Sequence, residues 1–531
     1  MNKYKPLFFI LIPLVVCILG CAQPSSYRHI TITVRGGEHV RIIQDSFTVG
    51  AGLTWTTVLA YVRSCVDYDE GWEPGLQRIG SDTGPELTEY HTYVPVDDDT
   101  VVFIQAQEAA QKIEDGISLI LHPDVLADPA KPRGIKIKII TADQSPIMLE
   151  GFKWKTQLTA EEAAAEELYL YPNCTTKVKI KGKNITELHL GRWKSDGQYA
   201  DVYRNHIVSL NVQGCSSLKK FDCSGNLLTT LNVQGLTSLE ELNCQENKLS
   251  SLNVQGLHAL RLLGCDGNRL ASLNVQGLNL IHLGCSGNLL KSLYVRGLPL
   301  EVLYCNSNNL DSLNVRGLPL KKFYCYGNNL AELDVRGLCS LQDLVCDRNE
   351  LLHLDLQGCS SLRYFICRWN KLISLNNMQD LAALEYMDCS NNEITAIGAG
   401  GLTALQILDC KDNQLSFLNV EKCASLQKLQ CQRNRLTSLD VRGLSSLKKL
   451  HCSSNRLNAD AFIKIFTALP ERTAADNAEC ELFTERRDFP ECNCKSFASP
   501  PALKEAFNAA KDKKHWKLYK ENKNGNPDTA V

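Results

Sequence analysis

The sequence lacks an excess of charge of either sign, because 57 Lys and Arg residues face 59 Asp and Glu residues. This balance argues against a generally basic nucleic-acid-binding protein. The motifs of common enzymes are also missing: we find no His-Glu-x-x-His, no nucleophile elbow and no phosphate loop, and Gly50-Ala-Gly52 lacks the rest of a dinucleotide fingerprint. The sequence therefore predicts no catalysis, no cofactor and no metal site.

Long apolar runs are absent beyond the N-terminus, where Lys3 and Lys5 precede an apolar stretch from Leu7 to Leu19. At about 1.5 Å per residue, this stretch is too short to cross a bilayer of about 30 Å. It is typical of a cleaved signal peptide, here residues 1–20.

The sequence Ile18-Leu19-Gly20-Cys21 that ends this stretch resembles the lipobox of bacterial lipoproteins. The resemblance implies that Cys21 carries acyl chains, palmitate among them, and anchors the chain in the outer membrane, facing the cell surface or the periplasm. The alternative is an ordinary secretory signal followed by a chance cysteine.

Cysteine is abundant, with 23 residues, and twelve of them recur at intervals of 20, 21 or 22 residues. An asparagine follows each of them three positions later, within the pattern Leu-x-x-Leu-x-Cys-x-x-Asn-x-Leu-x-x-Leu-x-Val-x-Gly-Leu. These ladder cysteines, which number the repeat units 1 to 12, are Cys223, Cys244, Cys265, Cys285, Cys305, Cys325, Cys346, Cys367, Cys389, Cys410, Cys431 and Cys452.

The alternation Leu-x-Cys places both side chains on one face of a short strand. One unit cannot bury its own leucines, but stacked units can, so the pattern predicts a parallel repeat solenoid. The motif resembles the leucine-rich repeat family, in particular the short-repeat bacterial surface class related to internalins. The resemblance covers about residues 205–470; it implies an α/β-type solenoid with a parallel sheet on the concave face, and protein recognition as the function.

Neighbouring ladder cysteines should have Cβ atoms about 4.8 Å apart, beyond the preferred disulfide range of about 3.5–4.5 Å. We therefore interpret them as buried thiols that fill a narrow core; a metal-binding ladder would need His or carboxylate partners inside an apolar coil. For Cys480, Cys492 and Cys494 two interpretations stay open, a disulfide from Cys480 to one of the other two, or free thiols.

Other segments flank the repeats. Residues 21–26 would form a lipidated tether, and residues 27–107 a small module that loosely resembles β-grasp-like domains, with strands at 29–34 and 100–104, a helix at 55–64 and a loop at 67–80. Residues 108–204 are predicted as a β-rich segment and N-terminal cap, with a capping box at Thr159 and Glu162. Helices are expected at 459–469 and 501–514, a C-terminal cap at 471–520 and a frayed tail at 521–531.

The candidate binding surface consists of strand positions that face outward, three and one before each ladder cysteine and one after it. In the first units these positions are charged or small, whereas from unit 5 to unit 9 large side chains cluster there. Aromatic clusters of this kind mark binding surfaces, although strands also favour aromatic residues in general. The candidate ligand-binding residues are Val302, Tyr304, Tyr324, Tyr326, Val345, Tyr364, Ile366, Trp369 and Tyr386, with Ile407 just beyond them.

The sequence thus predicts a non-catalytic, lipid-anchored envelope protein that binds a protein ligand, for example a host protein, as an adhesin or interaction scaffold. Two alternatives stay open. One is a carbohydrate-binding protein, because aromatic side chains also stack on sugars, and the other is a structural envelope protein that faces the periplasm. The oligomeric state does not follow from the sequence.

Overall fold

The computed structural model describes residues 116–122, 134–165, 168–173, 177–191, 205–486, 488, 491–524 and 526–529, and six strands between residues 29 and 108. The chain divides into two compact units, residues 1–112 and residues 113–531. The predicted signal peptide, the lipidation site Cys21 and the predicted helix at 55–64 lie outside the described residues.

The first unit contains strands β1 His29–Gly36, β2 Val40–Ile42, β3 Ser46–Gly50, β4 Val66–Tyr68, β5 Trp72–Ile79 and β6 Asp99–Glu108. Four of them form a mixed sheet in the order β3-β1-β6-β5, with β1 parallel to β6. The prediction of a loop at 67–80 is wrong for most of this range, because β5 pairs with β6. The ladder is irregular between Pro74 and Gln77, since proline lacks the N–H that a regular ladder needs.

The second unit begins with β7 Gly116–Leu121, β8 Ile135–Lys136, β9 Lys138–Thr141, β10 Ile147–Glu150, β11 Gln157–Leu158, helix α1 Ala160–Ala164, β12 Tyr169–Leu170, β13 Lys177–Lys181, β14 Ile185–His189 and β15 Ile207–Asn211. The predicted capping box is confirmed: the Glu162 N–H donates to Thr159 Oγ1 (3.2 Å), and the Thr159 N–H donates to Glu162 Oε2 (3.0 Å). Strand β14 pairs with β9 on one side and with the first repeat strand on the other.

The repeats contribute one long sheet of three-residue strands in parallel, each in register with the next. Two further pairs of short strands lie outside this sheet: β23 His353–Asp355 with β25 Ser374–Asn376, and β27 Ala396–Gly398 with β29 Phe417–Asn419. In chain order the strands are β16 Lys220–Asp222, β17 Glu241–Asn243, β18 Leu262–Gly264, β19 His282–Gly284, β20 Val302–Tyr304, β21 Lys322–Tyr324, β22 Asp343–Val345, β23 His353–Asp355, β24 Tyr364–Ile366, β25 Ser374–Asn376, β26 Tyr386–Asp388, β27 Ala396–Gly398, β28 Ile407–Asp409, β29 Phe417–Asn419, β30 Lys428–Gln430 and β31 Lys449–His451.

The core lies behind this sheet. In unit 5, for example, Leu303 and Cys305 are completely buried, whereas Val302 and Tyr304 between them are partly exposed. The two inward positions are buried in every unit, as the Leu-x-Cys pattern predicts. The repeat region is therefore a leucine-rich repeat solenoid with a continuous apolar core.

Buried asparagines join the units. Asn308 Nδ2 donates to the carbonyl oxygen of Cys305 (3.1 Å) and to that of Cys285 in the preceding unit (3.0 Å). Its Oδ1 accepts from the Leu290 N–H (3.0 Å). The pattern recurs in the other units, which confirms the predicted role of the asparagine in satisfying backbone groups that the sheet does not reach.

Two asparagines outside the twelve units act in the same way. Asn205 bridges the carbonyl groups of Lys136 and Leu190, and Asn493 bridges those of Cys452 and Leu482. The hydrogen-bonded stack thus extends beyond both ends of the cysteine pattern, where the sequence has lost its regular spacing.

The C-terminal part contains α2 Ala459–Ala468, β32 Glu479–Thr484, α3 Pro501–Asn508, a π-helical turn at Ala509–Lys513, β33 Lys517–Glu521 and β34 Pro527–Asp528. Both predicted helices are confirmed. Strands β32 and β33 continue the parallel sheet, and β34 pairs with β33 within the segment that we expected to fray. None of the helices in the described part of the chain has the length and apolar character needed to cross a membrane.

The ladder cysteines are buried free thiols, and burial raises their pKa values, to about 12 for Cys244. Cys480 is buried level with Leu450, whereas Cys492 is exposed and Cys494 is half-buried. All three are free, so the disulfide interpretation is wrong. The physical reason is the placement of Cys480 in β32, which continues the sheet and turns this residue into the core.

Replacing Asn308 by Ala should lower the free energy of unfolding by about 3 kcal/mol, because it leaves buried backbone groups of two units unpaired. Urea unfolding followed by circular dichroism measures this loss. The neighbouring, exposed Asn309 provides the control, since its replacement by Ala should change stability by no more than about 0.5 kcal/mol. Equal effects of the two changes would contradict the role of the asparagine ladder.

The exposed thiols of Cys339 and Cys492 should react with iodoacetamide in the native protein, whereas the ladder thiols should react about 1,000-fold more slowly, because burial withholds the thiolate. Peptide-resolved mass spectrometry after timed alkylation measures the rates. Urea should bring the ladder thiols to the rate of Cys339. Fast native labelling of Cys244 would show that the core is open to solvent.

Candidate binding surface on the concave sheet

The outward positions of the strands form three straight rows, because each unit is in register with the next. The first row lies three positions before the ladder cysteines and the second row one before. The third row, one after, lies beyond the end of each strand, and the prediction that it faces outward is wrong for its five buried members, Ser224, Asp347, Ser390, Gln432 and Ser453. Residues that are about 21 positions apart in sequence are therefore neighbours within a row.

Large side chains cross these rows obliquely. Most of them occupy the second row in units 5 to 8 and the first row in units 8 to 10. Val302, in the first row of unit 5, and Tyr326, in the third row of unit 6, flank this line. We call this set the stripe; its members are Val302, Tyr304, Tyr324, Tyr326, Val345, Tyr364, Ile366, Tyr386 and Ile407.

Four tyrosine rings of the stripe contact one another in pairs. The Tyr364 and Tyr386 rings stack with centroids 4.7 Å apart and an interplanar angle of 21°. The Tyr304 and Tyr324 rings are 4.9 Å apart and tilted by 40°. His282 lies edge-on to Tyr304 at 5.4 Å and borders the stripe on the unit 4 side. These contacts restrict the orientation of the rings.

The structure brings most of the predicted site residues together on the outward face. Tyr364 is 36% exposed, and the other tyrosines of the stripe are half-buried. Trp369, 55% exposed, lies in the turn after the strand of unit 8 with a positive φ of 56°. The rings thus face outward, while Phe323 and Phe365 fill the inward positions.

Val345 departs from the prediction. It belongs to the second row, between Tyr324 and Ile366, but it is only 8% exposed. A short side chain between larger ones loses its contact with solvent. Val345 therefore supports the stripe rather than offering a contact surface.

Burial and the nearby Asp343 raise the pKa of the Tyr324 hydroxyl, and burial and Asp388 raise that of Tyr386. Both phenols therefore remain protonated at neutral pH. Each can donate a hydrogen bond to a partner at the centre of the stripe.

Ion pairs border the stripe. On one side Arg368 lies between Asp347 (3.5 Å) and Asp388 (3.9 Å), and burial raises the pKa of Asp347 while Arg368 opposes this shift. On the other side Lys322 pairs with Asp343 at 3.4 Å. An apolar centre with a rim of fixed polar groups has the anatomy of a protein interface.

Two glycines that sequence reasoning missed end the stripe at unit 5. Gly264 and Gly284 occupy the second row in units 3 and 4, and a Cβ on Gly284 would lie 2.5 Å from Asp266 Oδ2. Asp266 crosses this space to accept hydrogen bonds from the Ser286 N–H (2.7 Å) and from Gln245 Nε2 (2.7 Å). The sequence does contain a signal for the end of the stripe, because glycine replaces a larger residue at the second-row position of two successive units.

In the described part of the chain, no group of His, Cys, Asp and Glu side chains has the arrangement of a metal site. The ladder cysteines face the apolar core, away from the stripe.

Replacing Asp266 by Asn should reduce the pH dependence of stability. Burial raises the pKa of Asp266 in the folded state, so folding is favoured as pH falls through this pKa toward the unfolded value of about 3.9. The melting temperature of the wild type, relative to that of the variant, should therefore rise as the pH is lowered from neutral toward about 3.9. Calorimetry at a series of pH values tests this, and parallel curves would contradict it.

No family model matches the chain, and no curated protein matches it. Solved structures do. The functional domain of InlJ from Listeria monocytogenes, which includes a cysteine ladder, is 26% identical over 56% of this chain and 73% of its own length, with a TM-score of 0.41. LIC12759 from Leptospira interrogans is 26% identical over 50% and 73%, with a TM-score of 0.45. YopM from Yersinia enterocolitica is 29% identical over 48% and 55%, with a TM-score of 0.43. These matches cover about half of the chain, and LIC12759 is a leucine-rich repeat protein.

Proposed function

We propose that this protein is a non-catalytic binding protein that holds a protein ligand on the stripe of its concave face. The observation that carries the proposal is the stripe itself, a continuous set of outward apolar and aromatic side chains over units 5 to 10. The first and last units present charged and polar residues at the same positions, such as Lys220, Glu241, Lys428 and Lys449. Apolar patches that interrupt a polar surface are typical of binding sites, and the confinement of the patch to some units supports this interpretation.

The shape of the stripe favours a protein over a sugar. A pyranose ring stacks on the free face of an aromatic ring, but Tyr364 and Tyr386 cover part of each other's faces by stacking at 4.7 Å. Ring edges and hydroxyl groups then point to the ligand. Such rigid, amphipathic contacts are typical of protein interfaces.

The proposal includes the location of the protein. Lys3, Lys5 and the Ile18-Leu19-Gly20-Cys21 sequence support export, lipidation of Cys21 and anchoring in the outer membrane. The solenoid would then act as an adhesin or interaction scaffold, tethered through its N-terminus. Loss of membrane association in a Cys21→Ser variant, and cleavage of the solenoid by protease added to intact cells, are the outcomes that this location predicts.

Replacing Tyr324, Tyr364 and Tyr386 together by Ala should weaken ligand binding at least about 100-fold, because it removes three aromatic contacts from the centre of the stripe. Proteins captured on immobilised wild type and on the variant are compared by mass spectrometry, and the affinity of the protein lost from the variant is measured by biolayer interferometry.

Tyr294→Ala is the matched control. Tyr294 is 67% exposed but lies nine positions after its ladder cysteine, outside the strand, so this variant should bind like the wild type. Circular dichroism should show the same fold for all three proteins. Undiminished binding by the triple variant would refute the assignment to the stripe, and saccharide binding on a glycan array that the triple variant loses would favour a sugar ligand.

A further inference from the structure

A second surface lies in the turns that follow the strands of units 10 to 12. These turns border a cleft of about 340 Å³, and its lining includes Asp412, Arg433, Arg435, Ser454, Arg456 and the exposed thiol of Cys492. The stripe does not reach this cleft.

Two of the three arginines carry charge that no neighbouring acid compensates. Arg433 is held by Asp412 through a contact of Nε with Oδ1 and a second contact of Nη2 with Oδ2 at 2.7 Å. Arg435 and Arg456 are exposed, and neither forms an ion pair with any residue that the structure describes. Both stand four positions after a ladder cysteine, on adjacent units, so their side chains begin about one strand spacing, about 4.8 Å, apart.

Ser454 provides an independent indication of a ligand. This residue is only 4% exposed and lines the cleft, yet its hydroxyl Oγ finds no hydrogen-bond partner among the described residues. A buried hydroxyl without a partner is unfavourable, and such a group in a native structure points to an unseen acceptor or donor. Because the two neighbouring arginines can only donate hydrogen bonds, a ligand that binds them and the Ser454 hydroxyl together must be a hydrogen-bond acceptor.

The acid nearest to Ser454 is already satisfied. Glu491 Oε2 accepts from the Ser454 N–H (2.8 Å) and the Thr484 N–H (2.7 Å), and Oε1 accepts from the Asn493 N–H (2.9 Å). Both oxygens of this carboxylate are thus paired with backbone amides rather than with an arginine, and Arg435 and Arg456 remain available to a ligand.

We infer that this cleft binds a tetrahedral oxyanion, a sulfate or phosphate group, between Arg435 and Arg456 with Ser454 Oγ donating to it. Two guanidinium groups and a hydroxyl offer more donors than the two oxygens of a carboxylate accept in a single plane, whereas a tetrahedral anion presents oxygens in several directions. The inference is independent of the stripe.

Cys492 reports on the occupancy of the cleft. Inorganic phosphate or sulfate, added at constant ionic strength, should slow the alkylation of Cys492 by iodoacetamide at least about threefold at saturating concentration. Cys339, exposed in the turn between units 6 and 7, is the internal reference and should keep its rate. Equal slowing of both thiols, or slowing of neither, would overturn the inference.

Variants separate the site from a general effect of salt. The change Arg435→Gln combined with Arg456→Gln, and separately Ser454→Gly, should abolish the protection of Cys492. Glycine is safe at position 454, which has a positive φ of 48°, because Gly225, Gly267, Gly287 and Gly327 stand at the equivalent position with positive φ. Arg269→Gln, exposed and four positions after Cys265, is the matched control and should retain full protection. Protection that survives in the double variant would refute the site, and protection by acetate equal to that by sulfate would refute the tetrahedral assignment.

Discussion

The structure depends on one recurring interaction, the buried asparagine that bonds backbone groups of its own unit and of its neighbours. Each turn after a strand leaves carbonyl and N–H groups that the sheet cannot pair, and burying them unpaired would be costly. The asparagine side chain has both an acceptor and two donors, so a single residue satisfies groups on several units. Because its reach is fixed, it also fixes the spacing and register of the stack.

This register turns the sequence into a surface with straight rows. Equivalent positions of adjacent units are neighbours on the concave face. Large side chains at such positions in several adjacent units therefore form a stripe. The same rule places two glycines next to each other at unit 3 and unit 4, where Asp266 fills the space that they leave. Strands of only three residues suffice, because the asparagines and the leucine core, rather than the sheet ladder alone, hold the units together.

The ends of the stack follow the same physics with different sequences. Asn205 and Asn493 take the place of the repeat asparagines, and β32 and β33 continue the parallel sheet without the cysteine spacing. The repeat spacing could not identify the units of β32 and β33. Helix α2 lies between β31 and β32 and helix α3 between β32 and β33, so the number of residues from one strand to the next differs from the 20 to 22 of the repeats. Their effect on chemistry is direct: β32 buries Cys480, and the loop after it brings Cys492 and Glu491 next to Ser454.

The sequence by itself determined the solenoid, its twelve units, the inward and outward positions of each strand and the role of the asparagines. All of these follow from local spacing and from the need of each unit to bury its leucines on a neighbour. Only the tertiary structure decided which outward residues are accessible, as the burial of Val345 between larger neighbours shows, and which residues of the C-terminal cap meet at the turns of the last units. The exposure of a side chain, and the meeting of residues from distant segments, depend on the volume and packing of side chains that are far apart in sequence. A repeat pattern carries no information about that packing.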